Sequence, residues 1–360
     1  MSLPETPHAA SNRASHYGNH SVTHDGLSRS RSSAVRWWCR LFNDTRRLIM
    51  AVSICSVCQL PATAYAQIDT ARAGGDPVAI LVGAGDIARC DSDGDEITAA
   101  LLDSVVGEAT VPTVVFTLGD NAYERATDQK FRDCYDPTWG RHKEITRPVP
   151  GNHDYKNGFL WFVLGGHANP YFEYFDAFPG QAGDRGDGWY YYELGGWDVY
   201  ALDSNDGKSV KRDSRQWQWL SGELETRRSL CSIAYLHHPR FSISKHGDND
   251  KMRDVWVLLA QNGIDVLLAG HEHNYQRFDP QDVDGTPDDT GIRQFVVGTG
   301  GTYLVLDEDE TIGNFVRWTS DHHGVLKLTL YHDRYDWEFI VEDGTVWDAG
   351  SSGCQNRGSR

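Results

Sequence analysis

Residues 78–86 read Val-Ala-Ile-Leu-Val-Gly-Ala-Gly-Asp, an apolar run that stops at a glycine and an aspartate. The run over residues 78–82 has the length and composition of a buried strand. A second apolar run, residues 113–118, ends in the same way at Gly119-Asp120. Strands without polar alternation are typical of parallel sheets that are covered on both faces. The sequence therefore predicts an α/β fold.

Further strands and helices alternate along the chain. Asp95 is expected to cap a helix that turns Ile97, Leu101 and Val105 to one face. Two more helices are predicted, one around Trp217, Leu220 and Leu224 and one over residues 251–260, and residues 156–190 read as a long aromatic loop. Further strands are predicted over residues 189–194, 197–202, 232–236, 264–269, 293–297, 325–330 and 335–341. Pro148-Val149-Pro150 is expected to end another strand, which leads into Gly151-Asn152.

Side chains that bind metal ions follow five separate predicted strands. Ligands bind beyond the carboxyl ends of strands in α/β sheets, so these side chains are expected to meet at one rim. The donors are Asp86, Asp120, Tyr123, Asn152, His237, His271 and His273. Seven donors are too many for one zinc ion and suit two ions that share a carboxylate. Oxygen and imidazole donors without thiolate favour Fe, Zn or Mn over copper.

The spacing of the last two histidines leaves their orientation open. His271 and His273 lie two residues apart, so both side chains would face one side of an extended strand. A turn would instead direct them toward two neighbouring ions.

Five ordered blocks carry a family resemblance. Together they resemble the signature of the calcineurin-like metallophosphoesterases and, more narrowly, that of the purple acid phosphatases. The blocks are Gly85-Asp86, Gly119-Asp-Asn-Ala-Tyr123, Gly151-Asn-His-Asp154, His237-His-Pro239 and Gly270-His-Glu-His273. The resemblance implies a sandwich of two mixed β-sheets with helices on the outside.

The resemblance also implies a role for each residue. The first ion would be held by Asp86, Asp120, Tyr123 and His273, and the second by Asp120, Asn152, His237 and His271, with Asp120 bridging. Tyr123 implies Fe(III) in the first position, with Fe, Zn or Mn in the second. Asn152, His153 and His246 would contact the substrate phosphate, and His153 or His246 would donate a proton.

The implied function is that of a binuclear phosphatase that hydrolyses phosphomonoesters by attack of a metal-bound hydroxide. A phosphodiesterase or a nucleotide pyrophosphatase would use the same site and is the alternative. A non-catalytic metal- or phosphate-binding protein is the remote alternative, since no expected ligand is missing from the sequence.

The charge of the chain bears on its partners. The formal net charge of the 360 residues is −17. Such an acidic protein repels phosphate backbones at long range, which argues against nucleic acid as a partner. A small phosphate-ester substrate remains compatible with this charge because bound metal ions supply local positive charge. The oligomeric state cannot be read from the sequence.

The first 66 residues read as a polar leader followed by an export signal. Arg46-Arg47 precedes a mostly apolar run, residues 48–60, and Ala64-Tyr-Ala66 fits a cleavage site. The same stretch also fits a twin-arginine signal, so the export route stays open. The apolar run is too short for a stable membrane anchor. We expect a periplasmic or extracellular protein whose residues 67–360 form a single catalytic domain.

Four cysteines lie beyond this leader, namely Cys90, Cys134, Cys231 and Cys354. An even number in an exported protein predicts disulfides, with three possible connectivities. Cys90–Cys134 is the favoured pair because each cysteine follows a strand with a site motif, and free buried thiols are the alternative.

Overall fold

Two mixed β-sheets form the frame of the protein in the computed structural model, which describes residues 75–157, 166–176, 178–205, 210–305 and 314–355. The predicted leader and export signal, residues 1–66, lie outside the described residues, and the domain boundary after them stays a prediction. In chain order the strands are β1 (Ala79–Ala84), β2 (Thr113–Leu118), β3 (Thr146–Val149), β4 (Tyr190–Leu194), β5 (Trp197–Ala201), β6 (Ser232–Leu236), β7 (Val266–Ala269), β8 (Tyr275–Phe278), β9 (Arg293–Val297), β10 (Phe315–Thr319), β11 (Gly324–Leu330), β12 (Arg334–Val341) and β13 (Val346–Gly353).

The first sheet has six strands in the order β13-β12-β11-β1-β2-β3. Its strands β1, β2 and β3 run parallel to one another, while β11, β12 and β13 are antiparallel to their neighbours. The second sheet has seven strands in the order β10-β8-β9-β7-β6-β5-β4. Its central strands β5, β6, β7 and β9 are parallel. Each sheet therefore presents a row of parallel carboxyl ends.

The sheets pack face to face through the side chains that alternate along their strands. On β6, Ile233 and Tyr235 enter a core that also contains Leu81 of β1, whereas Ala234 and Leu236 enter a second core. Strands buried on both faces need apolar side chains at every position, which explains the unbroken apolar runs. The predicted sandwich of two mixed sheets is confirmed.

The helices cover the outer faces of the sandwich. The second core packs β6 and β7 against two amphipathic helices through Leu220, Leu224, Trp256 and Leu259. The helices are α1 (Gly94–Glu108), α2 (Asp128–Lys130), α3 (Asn169–Phe175), α4 (Arg215–Thr226) and α5 (Arg253–Gln261), with a π-helix at Phe131–Tyr135 and 3₁₀ turns at Trp139–Ile145 and Asp250–Met252. Among the described residues, no helix combines the length and apolar character needed to cross a membrane.

The expectation for α1 was wrong in two respects. The N-cap residue is Asp93, and Asp95 lies in the first turn, where its buried carboxylate accepts a hydrogen bond from Thr138 Oγ1 at 3.0 Å. Ile97 is exposed, because the helix turns Thr98 inward instead. There, the Thr98 hydroxyl donates to the carbonyl oxygen of Gly300 and accepts from Trp139 Nε1.

The region predicted as a long aromatic loop contains a helix. Within residues 156–190, α3 runs from Asn169 to Phe175 and buries Tyr171, Phe172 and Phe175. These three aromatic residues therefore belong to the core and not to a loop. Residues 158–165 lie outside the described part of the chain.

Two disulfides cross-link the described residues, Cys90–Cys134 and Cys231–Cys354. The favoured pairing of Cys90 with Cys134 is confirmed. This bridge closes a loop with a sequence separation of 44 residues, which contains Asp120 and Tyr123.

Candidate metal centre

The predicted site residues lie beyond the carboxyl ends of parallel strands from both sheets. Asp86 follows β1, Asp120 follows β2 and Asn152 follows β3, while His237 follows β6 and His271 follows β7. Asp86, Asp120 and His271 adopt left-handed backbone conformations, with φ of 62°, 51° and 71°. Such conformations cost a residue with a side chain about 1–2 kcal/mol. They persist only where the surrounding structure enforces them, and they often mark functional sites.

Glycines make room for this sharp turning of the backbone. A side chain at Gly151 would collide with the backbone and the carboxylate of Asp120. A side chain at Gly270 would lie 2.7 Å from Asp86 Oδ2. The glycines of the sequence blocks therefore allow close approach of the strand ends.

The first group of donors surrounds the phenol oxygen of Tyr123. This oxygen lies 2.7 Å from Asp86 Oδ1, 3.0 Å from Asp120 Oδ2 and 3.2 Å from His273 Nε2. Asp86 also accepts from the backbone N–H of His271 at 2.7 Å. The other three side chains expected at the first ion are thus within hydrogen-bond distance of this oxygen.

The second group of donors surrounds Nε2 of His237. This nitrogen lies 3.0 Å from Asn152 Oδ1, 3.2 Å from His271 Nδ1 and 3.4 Å from Asp120 Oδ2. Oδ2 of Asp120 therefore belongs to both groups, at the position expected for a bridging atom. The turn at residues 271–274 splays the two histidines, so that His271 joins His237 and His273 joins Tyr123.

The donor set fits two cations. Nδ1 of His237 lies 2.7 Å from the carbonyl oxygen of Leu118, and Nδ1 of His273 lies 2.9 Å from that of Tyr303. A carbonyl can only accept, so each Nδ1 carries a hydrogen, and in the neutral ring the lone pair lies on Nε2. These lone pairs converge with those of two carboxylates and one amide oxygen. Such a convergence needs positive charge at its centre.

The pKa shifts of His237, Asp120 and Tyr123 agree with a need for positive charge at this site. Burial alone would lower the pKa of His237, but the adjacent carboxylate of Asp120 raises it to about 9. Burial opposes the ionised form of Asp120 as well, and the nearby His237 and His153 nevertheless lower its pKa. Burial, Asp120 and Asp86 raise the pKa of Tyr123, so a phenolate here requires a cation beside it.

His271 is suited to be a neutral ligand. Burial, together with the proximity of His237 and His238, lowers its pKa. His238, which the sequence did not place among the ligands, contacts the ring of His271 at 4.4 Å between centroids, and its Nδ1 lies 2.9 Å from Ser204 Oγ. Burial lowers the pKa of His238 to about 3.

Two further histidines, His153 and His246, flank the donor groups, and their role as substrate contacts stays a prediction. His153 donates its backbone N–H to Asp120 Oδ1 at 2.6 Å, and its ring lies 4.4 Å from that of Tyr123. His246 stacks on His271 with 4.9 Å between ring centroids. The segment before His246 is anchored by Ser244 Oγ, which accepts from Asn274 Nδ2 at 2.7 Å and Gln276 Nε2 at 2.9 Å.

Two site residues were missed from the sequence. Glu272 is buried, and its carboxylate accepts from His246 Nδ1 at 3.0 Å. Its position between His271 and His273 was a usable signal, since an acid buried beside ligand histidines needs a partner. Lys156 places Nζ 2.6 Å from His153 Nε2, and only its spacing of three residues from His153 hinted at this contact.

Comparisons with known proteins agree with the fold and the donors. A family model described as calcineurin-like phosphoesterase matches residues 75–275. The chain therefore belongs to the calcineurin-like phosphoesterase family. Its curated relatives include purple acid phosphatases, which places the resemblance in that branch and implies a binuclear metal centre.

Purple acid phosphatase 21 of Arabidopsis thaliana is 26% identical over 235 residues, covering 59% of this chain and 52% of the relative. Human tartrate-resistant acid phosphatase type 5 is 29% identical over 94 residues, covering 26% of each chain. The chain thus spans about half the length, or less, of these curated relatives.

Solved structures share the fold at low identity. A purple acid phosphatase from yellow lupin (Lupinus luteus) seeds matches with a TM-score of 0.63 at 18% identity, covering 76% of this chain and 53% of that one. GAP50, the anchor in the inner membrane complex of Plasmodium, matches with a TM-score of 0.61 at 15% identity, covering 78% and 90%. The fold alone therefore does not distinguish an enzyme from an anchor.

Proposed function

We propose that this protein is an exported phosphatase that hydrolyses phosphomonoesters at a two-metal site. The observation that carries the proposal is the position of Asp120 Oδ2, which lies 3.0 Å from Tyr123 Oη and 3.4 Å from His237 Nε2. Two donor groups that share one carboxylate oxygen are the arrangement that a pair of neighbouring ions requires.

The residues divide as their contacts suggest. Asp86, Tyr123 and His273 would hold one ion, Asn152, His237 and His271 the other, and Asp120 both. When bound, two such ions supply neutralisation of the phosphoryl oxygens and a lowered pKa for a coordinated water. The phenol of Tyr123 favours Fe(III) as the first ion, and the mixed donors of the second group suit Fe, Zn or Mn.

His246 is the better candidate for the proton donor to the leaving oxygen. Its Nδ1 is engaged by the buried carboxylate of Glu272, which leaves Nε2 as the nitrogen that can reach a substrate. A buried carboxylate orients the ring and fixes Nδ1 as a nitrogen that carries a hydrogen. His153 is less suited, because the carbonyl oxygen of Glu124 and the amino group of Lys156 already occupy its two ring nitrogens.

Two other functions are compatible with the same donors or with the same fold. A phosphodiesterase would employ the same donors, and the charge of the substrate decides between the two activities. An anchor would need the fold alone and would have no use for seven converging donors. The two disulfides support export, because such bonds persist in oxidising compartments.

The test is a rate comparison on metal-analysed protein. Purified protein is assayed with 4-nitrophenyl phosphate and with bis(4-nitrophenyl) phosphate, and its metal content is measured by mass spectrometry. We expect about two ions per chain and a higher kcat/KM for the monoester. A higher kcat/KM for the diester would replace the phosphatase with a phosphodiesterase, and metal-loaded protein inactive on both would overturn the enzymatic proposal.

A further inference from the structure

We propose that Lys156 is a specificity-determining residue that recognises the additional negative charge of a phosphomonoester. The proposal rests on the proposed function and names the group that would favour a monoester over a diester. Lys156 lies outside the blocks that carry the family resemblance, and no metal-binding role falls to it.

The first step is the placement of Lys156 beside the donor groups. Its Nζ lies 2.6 Å from Nε2 of His153, and that same Nε2 lies 3.9 Å from Oδ2 of Asp120. The Lys156 amino group is therefore separated from the shared carboxylate by a single imidazole. Lys156 is partly buried, so its charge is less screened by water than that of a surface lysine.

The second step is the distribution of protons in the pair. Nδ1 of His153 lies 2.6 Å from the carbonyl oxygen of Glu124, so this nitrogen must donate. An ammonium group has three donors and no acceptor, so Nε2 of His153 must accept from Lys156. The hydrogen between these two nitrogens is therefore donated by Lys156, which places a cationic group beside His153.

The third step is the geometry that holds the pair in place. The backbone N–H of His153 donates to Asp120 Oδ1 at 2.6 Å, and Asp154 accepts from the N–H of Gly151 at 2.7 Å. Asn157 Nδ2 donates to the carbonyl oxygen of Ala126 at 2.8 Å. The turn from residue 151 to residue 157 is thus fixed on both sides of Lys156, and the contact with His153 places the amino group beside the site.

The fourth step is the difference between the two substrate classes. A phosphomonoester dianion has three non-bridging oxygens, whereas a diester has two and one charge less. The Lys156 ammonium group donates one of its three hydrogens to His153. The other two can bind a phosphate oxygen of the substrate that the metal ions do not bind. In a diester the corresponding oxygen carries a second organic group, which gives Lys156 less charge to bind.

The local charge makes this cation unusual. The donor groups contain no lysine or arginine, and the chain as a whole has a net charge of −17. Burial lowers the pKa of Lys156, while Asp120 and Glu124 oppose this change. A bound phosphate dianion adds to the effect of these carboxylates.

The experiment compares Lys156→Met and Lys156→Arg with the unaltered protein on the 4-nitrophenyl mono- and diesters. Lys143→Met is the matched control, because Lys143 lies before β3, at the end of that strand opposite Asn152, over the ring of Tyr174. We expect Lys156→Met to lower kcat/KM for the monoester about 10- to 100-fold, the range of a lost charge-assisted hydrogen bond. The diester is expected to change less than about threefold, and Lys156→Arg to retain most monoester activity, because it keeps the charge.

Metal content and circular dichroism of each variant establish that the site and fold are intact. Parallel losses on both esters, or an unchanged monoester rate in Lys156→Met, would overturn the role of Lys156 while the phosphatase stands. Unaltered protein inactive on both esters would sink the proposed function. The Lys156 assignment is then decided by calorimetry with inorganic phosphate, where equal Kd values for the unaltered protein and Lys156→Met would refute it.

Discussion

Oδ2 of Asp120 lies 3.4 Å from Nε2 of His237, and this contact joins the two sheets of the sandwich. Asp120 follows β2 in one sheet, and His237 follows β6 in the other. The candidate metal centre is therefore built at the seam between two layers, and its donors depend on their packing.

Replacing the shared carboxylate tests this arrangement most directly. We expect Asp120→Asn to lose both metal ions, because each donor group loses its common charge, and to reduce turnover roughly a thousandfold or more, in line with removal of central electrostatic stabilisation. Metal analysis and steady-state kinetics measure both effects. Asp289→Asn, an exposed acid in a loop, is the control. A variant of Asp120 that keeps two ions and full activity would exclude a bridging role.

The phenol of Tyr123 allows a test of the proposed identity of the first ion. A ferric phenolate absorbs visible light, so we expect protein purified with its native metals to be coloured and Tyr123→Phe to lose the band. Tyr135→Phe is the control, since Tyr135 is an equally buried tyrosine outside the donor groups. The measurement is a visible spectrum with elemental analysis. Colourless, iron-free and fully active protein would contradict the ferric assignment and leave a phosphatase with other metals.

The Cys90–Cys134 disulfide closes the loop that contains Asp120 and Tyr123. Removing either disulfide by paired serine substitutions should lower the free energy of unfolding by about 2–5 kcal/mol. Only the Cys90/Cys134 variant should also release metal more readily, because Cys231 precedes β6 at the end away from His237. Chelator titration and thermal unfolding test this difference. Equal metal retention in both variants would refute the link between this loop and the site.

Asp95 gives a pH-dependent prediction away from the site. Burial raises its pKa to about 6, although a hydrogen bond from Thr138 opposes the shift. The unfolded chain has a value of about 3.9, so the folded state binds this proton more tightly. The free energy of unfolding contributed by Asp95 therefore falls as the pH rises from about 4 to about 6.

Asp95→Asn removes this penalty while keeping an acceptor for Thr138. We expect the variant to be more stable at pH 7 by on the order of 2 kcal/mol, reduced by residual solvent screening. Its advantage should shrink toward pH 4. Thermal unfolding between pH 4 and pH 7 measures the effect, with Glu96→Gln in the same helical turn as the control. An advantage that is independent of pH would contradict the shifted ionisation of Asp95.

The strands that position the donors could be predicted because their apolar runs are unbroken. β2, β6 and β9 agree with the predicted bounds, and the donors follow strands as expected. β8, β10 and β13 were not predicted. β13 reads Val-Trp-Asp-Ala-Gly-Ser-Ser-Gly, which has little preference for a strand, and it forms because β12 offers a paired edge.

The remaining errors concern groups whose environment arises only on folding. Asp95 resembles a cap in the sequence, yet its carboxylate is buried because Thr138, 43 residues away, provides a hydroxyl. Glu272 and His246 meet across 26 residues, and no local pattern relates them. The sequence left open whether His271 and His273 face the same side or two neighbouring ions. The structure directs their side chains apart because His271 adopts a left-handed backbone conformation, with φ of 71°.

Because the donors are divided between the two sheets, the candidate metal centre forms only when one sheet packs on the other. Ligand chemistry of this kind accepts several transition metals, and availability then governs which are taken up. Metal uptake is thereby coupled to the docking of the two layers. The metals available in the compartment where the chain folds therefore contribute to metal identity together with the donor residues.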